Sequence, residues 1–226
     1  MSEITYPPEL EIVPLSSAPS ATVTVPGSKS ITNRALVLAA LASRSGPCVL
    51  TGALRSEDTE VMLDCLTKLG FVVEADWHSS QITVHRNPTV RIIPAEDADL
   101  FVANSGTTVR FLAAMVSLGS GVYRLDGVPR MRERPIQDLL DALNQVPGVR
   151  TDSDSGTGCP PVTISGLGWP KNDTLVLNVR ADVSSQFLSA LMMSAAFVTG
   201  ETWIRVAGEV VSEPYIHMTE AMIRHW

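Results

Sequence analysis

The chain has 226 residues, of which 45% are hydrophobic and 18% charged, with a formal net charge of -7 and a pI near 5.1. The apolar content is sufficient for one large or two small folded domains and excludes a disordered chain. The negative charge, without any run of Lys or Arg, disfavours a general nucleic-acid surface, so we expect no nucleic-acid partner.

The N-terminal sequence MSEITYPPEL has neither the basic nor the apolar region of a signal peptide, and the longest apolar run, residues 187–198, is too short to span a bilayer. These features predict a cytoplasmic protein without a membrane partner. Cys48, Cys65 and Cys159 lack the spacing of zinc ligands, and we expect neither a structural zinc site nor a disulfide framework.

The first predicted element is a half-buried strand at residues 22–25, where Thr and Val alternate. Gly27 permits a tight turn, and Ser28 or Ser30 would cap a helix over residues 31–42. This helix is apolar on all sides, which predicts that it is buried. The rest of this first unit is predicted as a strand at 49–51, a turn at Gly52, an amphipathic helix over 57–69 and strands at 71–74 and 81–85. Its acidic helix start, Glu57, Asp58 and Glu60, is interpreted as an ordinary start signal.

Lys29 and Arg34 stand near the start of the first helix, where unpaired N–H groups already concentrate positive charge. Cations are unfavourable there unless an anion neutralises them, and phosphate binds well at such a terminus. The alternative is that both side chains extend into solvent. The Gly/Ser turn and the absence of a polar helix face favour the anion site.

The same plan occurs twice more along the chain. The second unit has a polar loop at 104–107, an apolar helix at 109–118, a strand at 122–125, a turn at Gly127, a helix beginning at Pro135 and strands at 149–152 and 162–165. The third has a loop at 183–186, an apolar helix at 187–197, a strand at 202–206, a turn at Gly208 and a helix beginning at Pro214. We predict that the three apolar helices form a central core with the sheets outside. The amphipathic helices would bury stripes comprising Val61, Cys65 and Leu69; Ile136, Leu139, Leu140 and Leu143; and Tyr215, Thr219, Met222 and Trp226.

Five motifs, in chain order, resemble the 5-enolpyruvylshikimate-3-phosphate synthase family: PGSKSITNRALVLAALA, NSGTTVRFLAA, GVPRMRERPI, VSSQFLSALMM and VSEPY. The resemblance implies an α/β fold, the enolpyruvyltransferase-like inverse α/β prism, whose domain has three β-α-β-α-β-β units around buried helices. The third unit would be incomplete here, and only the N-terminal half of the family's architecture is covered. The domain would span residues 21–226, after an N-terminal arm at 1–20 whose strand, at about 10–14, belongs with the second domain.

The family transfers the carboxyvinyl group of phosphoenolpyruvate to the 5-hydroxyl of shikimate 3-phosphate and releases phosphate, without a metal or cofactor. The resemblance implies that Lys29 contacts both substrates and that Gly106 and Arg130 bind phosphoenolpyruvate. The residues implied for shikimate 3-phosphate are Ser30, Arg34, Ser184, Ser185, Gln186, Ser212 and Tyr215, and Gln186 is also implied to lie near phosphoenolpyruvate. The family takes its acid and base groups from the other domain, so the isolated chain is expected to be inactive without that half.

Several assignments have structural alternatives. Ser184, Ser185 and Ser212 could cap helices, and Gly106 could serve only a turn. Arg132 and Arg134 are expected to form a solvated face with Glu133. Two departures from the family pattern are Phe111, where many members have proline and where the start of the helix would change, and Glu213 in place of a basic residue.

Two other functions remain open, and a third is disfavoured. UDP-N-acetylglucosamine enolpyruvyltransferase has a similar architecture, but it typically has Lys-Asn in the first loop and a reactive cysteine in the loop corresponding to GVPRMRERPI. Neither feature occurs in this sequence. A noncatalytic fragment that binds phosphorylated metabolites is the second alternative. A P-loop nucleotide enzyme is disfavoured because GSKS lacks the adjacent Gly-Lys of that motif.

Overall fold

The structure is a computed structural model, and it describes residues 7–180 and 184–226. The helices in this part of the chain are α1 (Lys29–Ala42), α2 (Glu57–Lys68), α3 (Gly106–Val116), α4 (Gln137–Leu143), α5 (Ser185–Ala195) and α6 (Glu213–His225). The strands are β1 (Cys48–Thr51), β2 (Val73–Asp76), β3 (Gln81–Val84), β4 (Asp97–Phe101), β5 (Ser120–Asp126), β6 (Val149–Ser153), β7 (Val162–Leu167), β8 (Asp173–Arg180) and β9 (Gly200–Ala207).

The three helices without a polar face form the centre of the molecule, as the sequence predicts. In α1 every residue from Thr32 to Leu41 is buried, and α3 and α5 are buried over most of their length. Helix α3 packs against both α1 and α5, so apolar side chains on opposite sides of the helix are buried from solvent. Among the described residues, no helix combines the length and the apolar composition needed to cross a membrane.

The sheets lie outside this core and repeat one pairing pattern. In each of the first two units the last two strands pair antiparallel with each other, and the second of them also pairs antiparallel with the strand that follows the buried helix. The strand orders are β1-β3-β2 and β4-β5-β7-β6. In the second and third units a strand precedes the buried helix and pairs in parallel with the strand after it, as β4 with β5 and β8 with β9. The described part of the third unit has only this parallel pair, which agrees with the expectation of an incomplete repeat.

The sequence predictions omit β4 and β8, although β8 alternates regularly. Its inward residues Leu175, Leu177 and Val179 are buried, whereas β4 contains three acidic or small residues before its one buried side chain, Leu100. The missed signal is the repeat itself, because both strands end four residues before the Ser that caps the next helix.

The strand predicted at residues 22–25 does not form in the structure. Residues 7–28 contain no helix or strand, and Val23 and Val25 are 78% and 77% exposed. Alternation indicates only a local preference, whereas a strand needs a partner that buries one face. The prediction of a half-buried strand is therefore wrong for this structure. The arm predicted at 1–20 is exposed and irregular over residues 7–20, while residues 1–6 lie outside the described part; the boundary at residue 20 stays a prediction.

The predicted stripes on the amphipathic helices are confirmed in one helix and revised in two. Ile136, Leu139, Leu140 and Leu143 are buried as predicted. Of the stripe predicted for α2, Cys65 and Leu69 are buried as predicted, whereas Val61 is only partly buried and Met62 and Leu66 are buried in addition. In α6 only Thr219 is buried, whereas Tyr215 and Trp226 remain 41% and 42% exposed.

We predict that Gly27→Ala destabilises the fold, because a Cβ at Gly27 would lie 2.2 Å from the backbone oxygen of Gly52 and 2.9 Å from the Leu54 nitrogen. The backbone must shift to relieve such a contact, and a loss of about 1–3 kcal/mol in the free energy of unfolding is expected. Urea denaturation measures it. The control is Gly46→Ala, whose Cβ would meet nothing within 4 Å. Equal stability of the two variants would contradict the close approach of these two turns.

Candidate anion-binding site

Three buried helices begin beside one another, and each has a serine at its N-cap. The hydroxyl oxygen of Ser28 accepts a hydrogen bond from the Ile31 N–H at 3.4 Å, that of Ser105 from the Thr108 N–H at 3.2 Å, and that of Ser184 from the Gln186 N–H at 3.2 Å. Each cap satisfies one N–H of its first turn, and the other N–H groups still favour an anion. Ser28, and not Ser30, is therefore the cap of α1.

Two contiguous cavities lie at these helix starts and share Lys29, Thr107 and Gln186. The first, the Arg34 cavity, has a volume of about 310 Å³ and is lined by Lys29, Ser30, Arg34, Thr107, Ser184, Ser185, Gln186, Val211, Ser212 and Tyr215. The second, the Gly106 cavity, has a volume of about 300 Å³ and is lined by Lys29, Glu57, Asp58, Asn104, Gly106, Thr107, Arg110, Arg134 and Gln186. Nine of the ten predicted site residues line one of the two cavities.

Arg34 is a buried cation at the floor of the Arg34 cavity, with only 2% of its surface exposed. Its guanidinium donates to the Thr219 hydroxyl at 2.7 Å, the Ser189 hydroxyl at 3.2 Å and the backbone oxygen of Ser30 at 2.9 Å. Burial lowers the pKa of Arg34 to about 10, so it remains charged at neutral pH. Within the described residues no carboxylate pairs with it, and an anionic ligand would offset its desolvation cost.

Aromatic rings contact the guanidinium of Arg34. Its Cζ lies 5.1 Å from the centre of the Phe111 ring and 5.7 Å from that of Tyr215, within the range of cation–π attraction. Phe111 is fully buried in the second turn of α3, whose start at Gly106 retains its Ser105 cap. The residue therefore leaves the helix start intact, contrary to the expectation, and instead packs against Arg34.

Arg110 and Arg134 approach the same glycine in the Gly106 cavity. A Cβ added to Gly106 would lie 2.6 Å from Arg134 Nη1 and 3.0 Å from Arg110 Nη1, so the absent side chain allows both arginines to reach the helix start. Arg110 donates to Gln186 Oε1 at 2.7 Å, and Arg134 donates to the Asn104 backbone oxygen at 3.2 Å. Burial, followed by repulsion from Arg134, lowers the pKa of Arg110 to about 10.

Arg130, the arginine that the sequence analysis assigns to phosphoenolpyruvate, lines neither cavity. Its side chain is 69% exposed and pairs with Glu133 in the short helix Met131–Glu133. Arg132 pairs with Asp126 at 2.8 Å. Arg134, expected on a solvated face, is the residue of this loop that faces Gly106. Sequence reasoning also missed Arg110. The signal for it was a cation one turn into the apolar helix α3, comparable to Arg34 in the apolar helix α1.

The serines of the Arg34 cavity have different roles. Ser184 caps α5, as the structural alternative proposed, and Ser185 is buried in the first turn of that helix. Ser212 begins α6 with φ at 56°, in the left-handed region, and its hydroxyl makes no capping bond. Non-glycine residues hold this strained conformation where the surrounding structure enforces it, often at binding sites. Its hydroxyl is thus available to a ligand.

The combined cavities are locally positive in an acidic chain. Four cations, Lys29, Arg34, Arg110 and Arg134, oppose two carboxylates, Glu57 and Asp58, so the local formal charge is +2 against -7 for the whole chain. The lining supplies ammonium, guanidinium, hydroxyl and amide donors, which suit phosphate and carboxylate groups. No cluster of three metal-ligating side chains occurs in the described ranges.

A larger cavity, of about 640 Å³, lies elsewhere, beside the free edge of β1 and the end of α6. Apart from His225 its lining contains no ionisable group except the weakly polar Cys48 thiol, and it includes apolar side chains such as Val49, Leu50 and Trp226. Volume alone would favour this groove. Charge and directed donors favour the two smaller cavities for an anion, and we assign the site there.

We predict that Thr219→Val destabilises the chain by about 1–3 kcal/mol, because it leaves the buried Arg34 Nε–H without its acceptor. The control is Thr67→Val. Both threonine hydroxyls donate to the backbone oxygen four residues earlier, at 2.7 Å for Thr219 and 2.9 Å for Thr67, but Thr67 is exposed and its hydroxyl accepts no hydrogen bond from a cation of the described residues. Urea unfolding compares the two; equal losses would contradict the importance of the Arg34 contact.

Comparisons with known proteins identify the family. The family model of EPSP synthase (3-phosphoshikimate 1-carboxyvinyltransferase) matches residues 15–226. The chain is 46% identical over 213 residues to the 3-phosphoshikimate 1-carboxyvinyltransferase of Paraburkholderia phymatum and 44% identical over 210 residues to that of Nostoc punctiforme. Each match covers 93% of this chain and 47% of the relative, so the chain spans about half the length of these curated relatives.

Solved structures give the same result. EPSP synthase from Acinetobacter baumannii matches with a TM-score of 0.73 and 26% identity, over 89% of this chain and 42% of that one. The enolpyruvyl transferase NikO from Streptomyces tendae shares the fold, with a TM-score of 0.56 and 16% identity over 85% of this chain and 42% of that one. The match over residues 15–226, the repeated units and the buried helices together show that the chain belongs to the EPSP synthase family.

Proposed function

We propose that this chain supplies the substrate-binding half of an enzyme that transfers the carboxyvinyl group of phosphoenolpyruvate to the 5-hydroxyl of shikimate 3-phosphate, giving 5-enolpyruvylshikimate 3-phosphate and phosphate. One observation carries the proposal. Two contiguous cavities at three helix N-termini contain Arg34, Arg110 and Arg134, which have no carboxylate partner among the described residues. The reaction has two anionic substrates that must lie side by side.

Shikimate 3-phosphate is assigned to the Arg34 cavity. Arg34 still has guanidinium N–H groups beyond the three bonds that it makes, and they can meet a carboxylate or phosphate oxygen. Ser30, Ser184, Ser185 and Ser212 surround it with hydroxyl groups that suit the ring hydroxyls and the phosphate, and Tyr215 closes one side. The site residues predicted from the sequence for this substrate are retained in the proposal.

Phosphoenolpyruvate is assigned to the Gly106 cavity. Arg134 and Arg110 both approach Gly106, and Lys29 lines this cavity as well as the Arg34 cavity. Three cations match the charge of a phosphate beside a carboxylate. Gln186 bridges the cavities, because its Oε1 accepts from Arg110 and its Nε2 donates to Thr107 Oγ1 at 3.2 Å.

These residues contribute binding, orientation and charge stabilisation. The 5-hydroxyl oxygen adds to C2 of phosphoenolpyruvate and gives up its proton while C3 gains one; C3 then loses a proton, the C2=C3 bond re-forms and the bond between C2 and the phosphate oxygen breaks, which releases phosphate. Lys29 and the arginines would stabilise the negative charge on the phosphate as it leaves. We assign the proton transfers to the second domain of the family, so a C-terminal half-domain is the proposed partner, and the proposed location is the cytoplasm.

Two experiments test the proposal. Calorimetric titration of the chain with shikimate 3-phosphate should show binding that shikimate, which lacks the phosphate, does not reproduce. Phosphate release from both substrates should then require a separately supplied C-terminal half. Binding without turnover even in the presence of that half would favour the noncatalytic phosphometabolite-binding fragment. Turnover by the chain alone would contradict the division of roles.

We predict that Arg134→Gln weakens phosphoenolpyruvate binding about 10- to 100-fold in the presence of shikimate 3-phosphate, because it removes a charge-assisted contact worth about 1.5–3 kcal/mol. Arg130→Gln is the matched control in the same loop, and its side chain is exposed and paired with Glu133. Titration calorimetry with each variant measures the affinity. A larger loss in the Arg130 variant would restore the sequence-based assignment and contradict the geometry of the Gly106 cavity.

A further inference from the structure

Asp58, in the first turn of α2, contacts both Lys29 at the start of α1 and Ser105, the N-cap of α3. Asp58 is mostly buried, with 22% of its side chain exposed. Its Oδ2 accepts from the Lys29 ammonium at 3.2 Å, and its Oδ1 accepts from the Ser105 hydroxyl at 2.6 Å. A carboxylate that served only the start of α2 would need neither contact, since the Ser56 side chain already caps that helix.

The contact with Ser105 fixes the loop that precedes Gly106. Ser105 donates its hydroxyl proton to Asp58, which leaves its oxygen free to accept the Thr108 N–H at 3.2 Å and so to start α3. The Thr108 hydroxyl also lies 3.4 Å from the backbone oxygen of Asp58. The first turn of α2 therefore holds the first turn of α3 by a side chain and by its backbone.

The contact with Lys29 fixes a flexible cation. The Lys29 side chain is 48% exposed and lines both cavities, so an unrestrained ammonium would sample many positions in solvent. Asp58 lines the Gly106 cavity and holds the Nζ of Lys29 at its edge. One carboxylate thus sets the distance between the Lys29 ammonium and the loop that contains Gly106.

We propose that Asp58 is a positioning residue: it directs Lys29 toward the Gly106 cavity and fixes the loop before Gly106, so that an incoming phosphate group meets donors that are already in place. It acts through Lys29 and Ser105. The inference rests on the proposed function for the identity of that ligand, phosphoenolpyruvate. It makes Asp58 an organising part of an anion site despite its own negative charge.

The direction in which Asp58→Asn changes the affinity for phosphoenolpyruvate distinguishes a positioning role from a simple effect of charge. Asp58→Asn removes a negative charge from a cavity for anions, and on charge alone it should tighten phosphoenolpyruvate binding. If Asp58 positions Lys29, the same variant weakens binding, because the asparagine amide releases the ammonium. We expect about a 10-fold loss of affinity, which corresponds to one misplaced charge-assisted hydrogen bond.

Calorimetry of the 226-residue chain with phosphoenolpyruvate, in the presence of shikimate 3-phosphate, measures this effect. Glu60→Gln is the control, because it removes one charge from the same turn of α2 while its side chain pairs with Arg55 at 2.7 Å and lines neither cavity. Its affinity should equal that of the unmodified chain. Asp58→Glu keeps the charge but displaces the carboxylate by one methylene, and positioning predicts an intermediate loss.

A measurement without ligand makes the inference independent of the proposed function. In Asp58→Asn, amide hydrogen exchange at Thr108 should accelerate and the Lys29 side-chain NMR signals should move toward those of a free lysine, with neither change in Glu60→Gln. Unchanged exchange and Lys29 signals, or equal or tighter ligand binding, would overturn the positioning role. Failure of the unmodified chain to bind phosphoenolpyruvate would instead refute the proposed function, while the ligand-free comparison still decides whether Asp58 organises the loop.

Discussion

The buried guanidinium of Arg34 is the constraint on which the rest of the site depends. It is a cation among apolar helices, and the described chain offers it hydroxyl groups, a backbone oxygen and two aromatic rings but no carboxylate. Neutral acceptors and ring faces make such a charge tolerable and keep it in one orientation. An internal carboxylate would stabilise the empty protein more, but it would compete with an anionic substrate. We interpret the stability lost there as the basis of ligand affinity.

The repeated unit explains how one chain assembles such a site. Each unit places a serine-capped N-terminus of an apolar helix at the same end of the core, and the packing of α3 against α1 and α5 brings the three ends together. Residues distant in sequence then become neighbours, as when Arg34 reaches Ser189 and Arg110 reaches Gln186. The local positive charge thus arises from topology rather than from any basic run, in keeping with the acidic composition.

Much of this organisation could be predicted from the sequence, because apolar periodicity and cap residues act locally. The buried helices, seven of the nine strands in the described residues and the polar loops before α1 and α3 follow from such signals. Arg134 could not be distinguished from Arg130 in this way, since two arginines in one loop differ only in the direction that the fold gives them. At residues 22–25 a local signal gave a wrong prediction. The alternation of Thr and Val predicted a strand, but a strand forms only where the edge of another strand is available for pairing. The role of Asp58 also could not be predicted, because it depends on contacts with Lys29 and Ser105, which are 29 and 47 residues away from it in sequence.

The central claim is that three arginines without a carboxylate partner in the described residues form, at three helix N-termini, one site for phosphorylated carboxylates. A crystal structure of the chain with shikimate 3-phosphate tests it most directly. The account predicts density in the Arg34 cavity, with a ligand anion within hydrogen-bonding distance of the Arg34 guanidinium and of Ser185 or Ser212. An empty cavity at saturating ligand, or the ligand in the apolar groove beside β1, would contradict it.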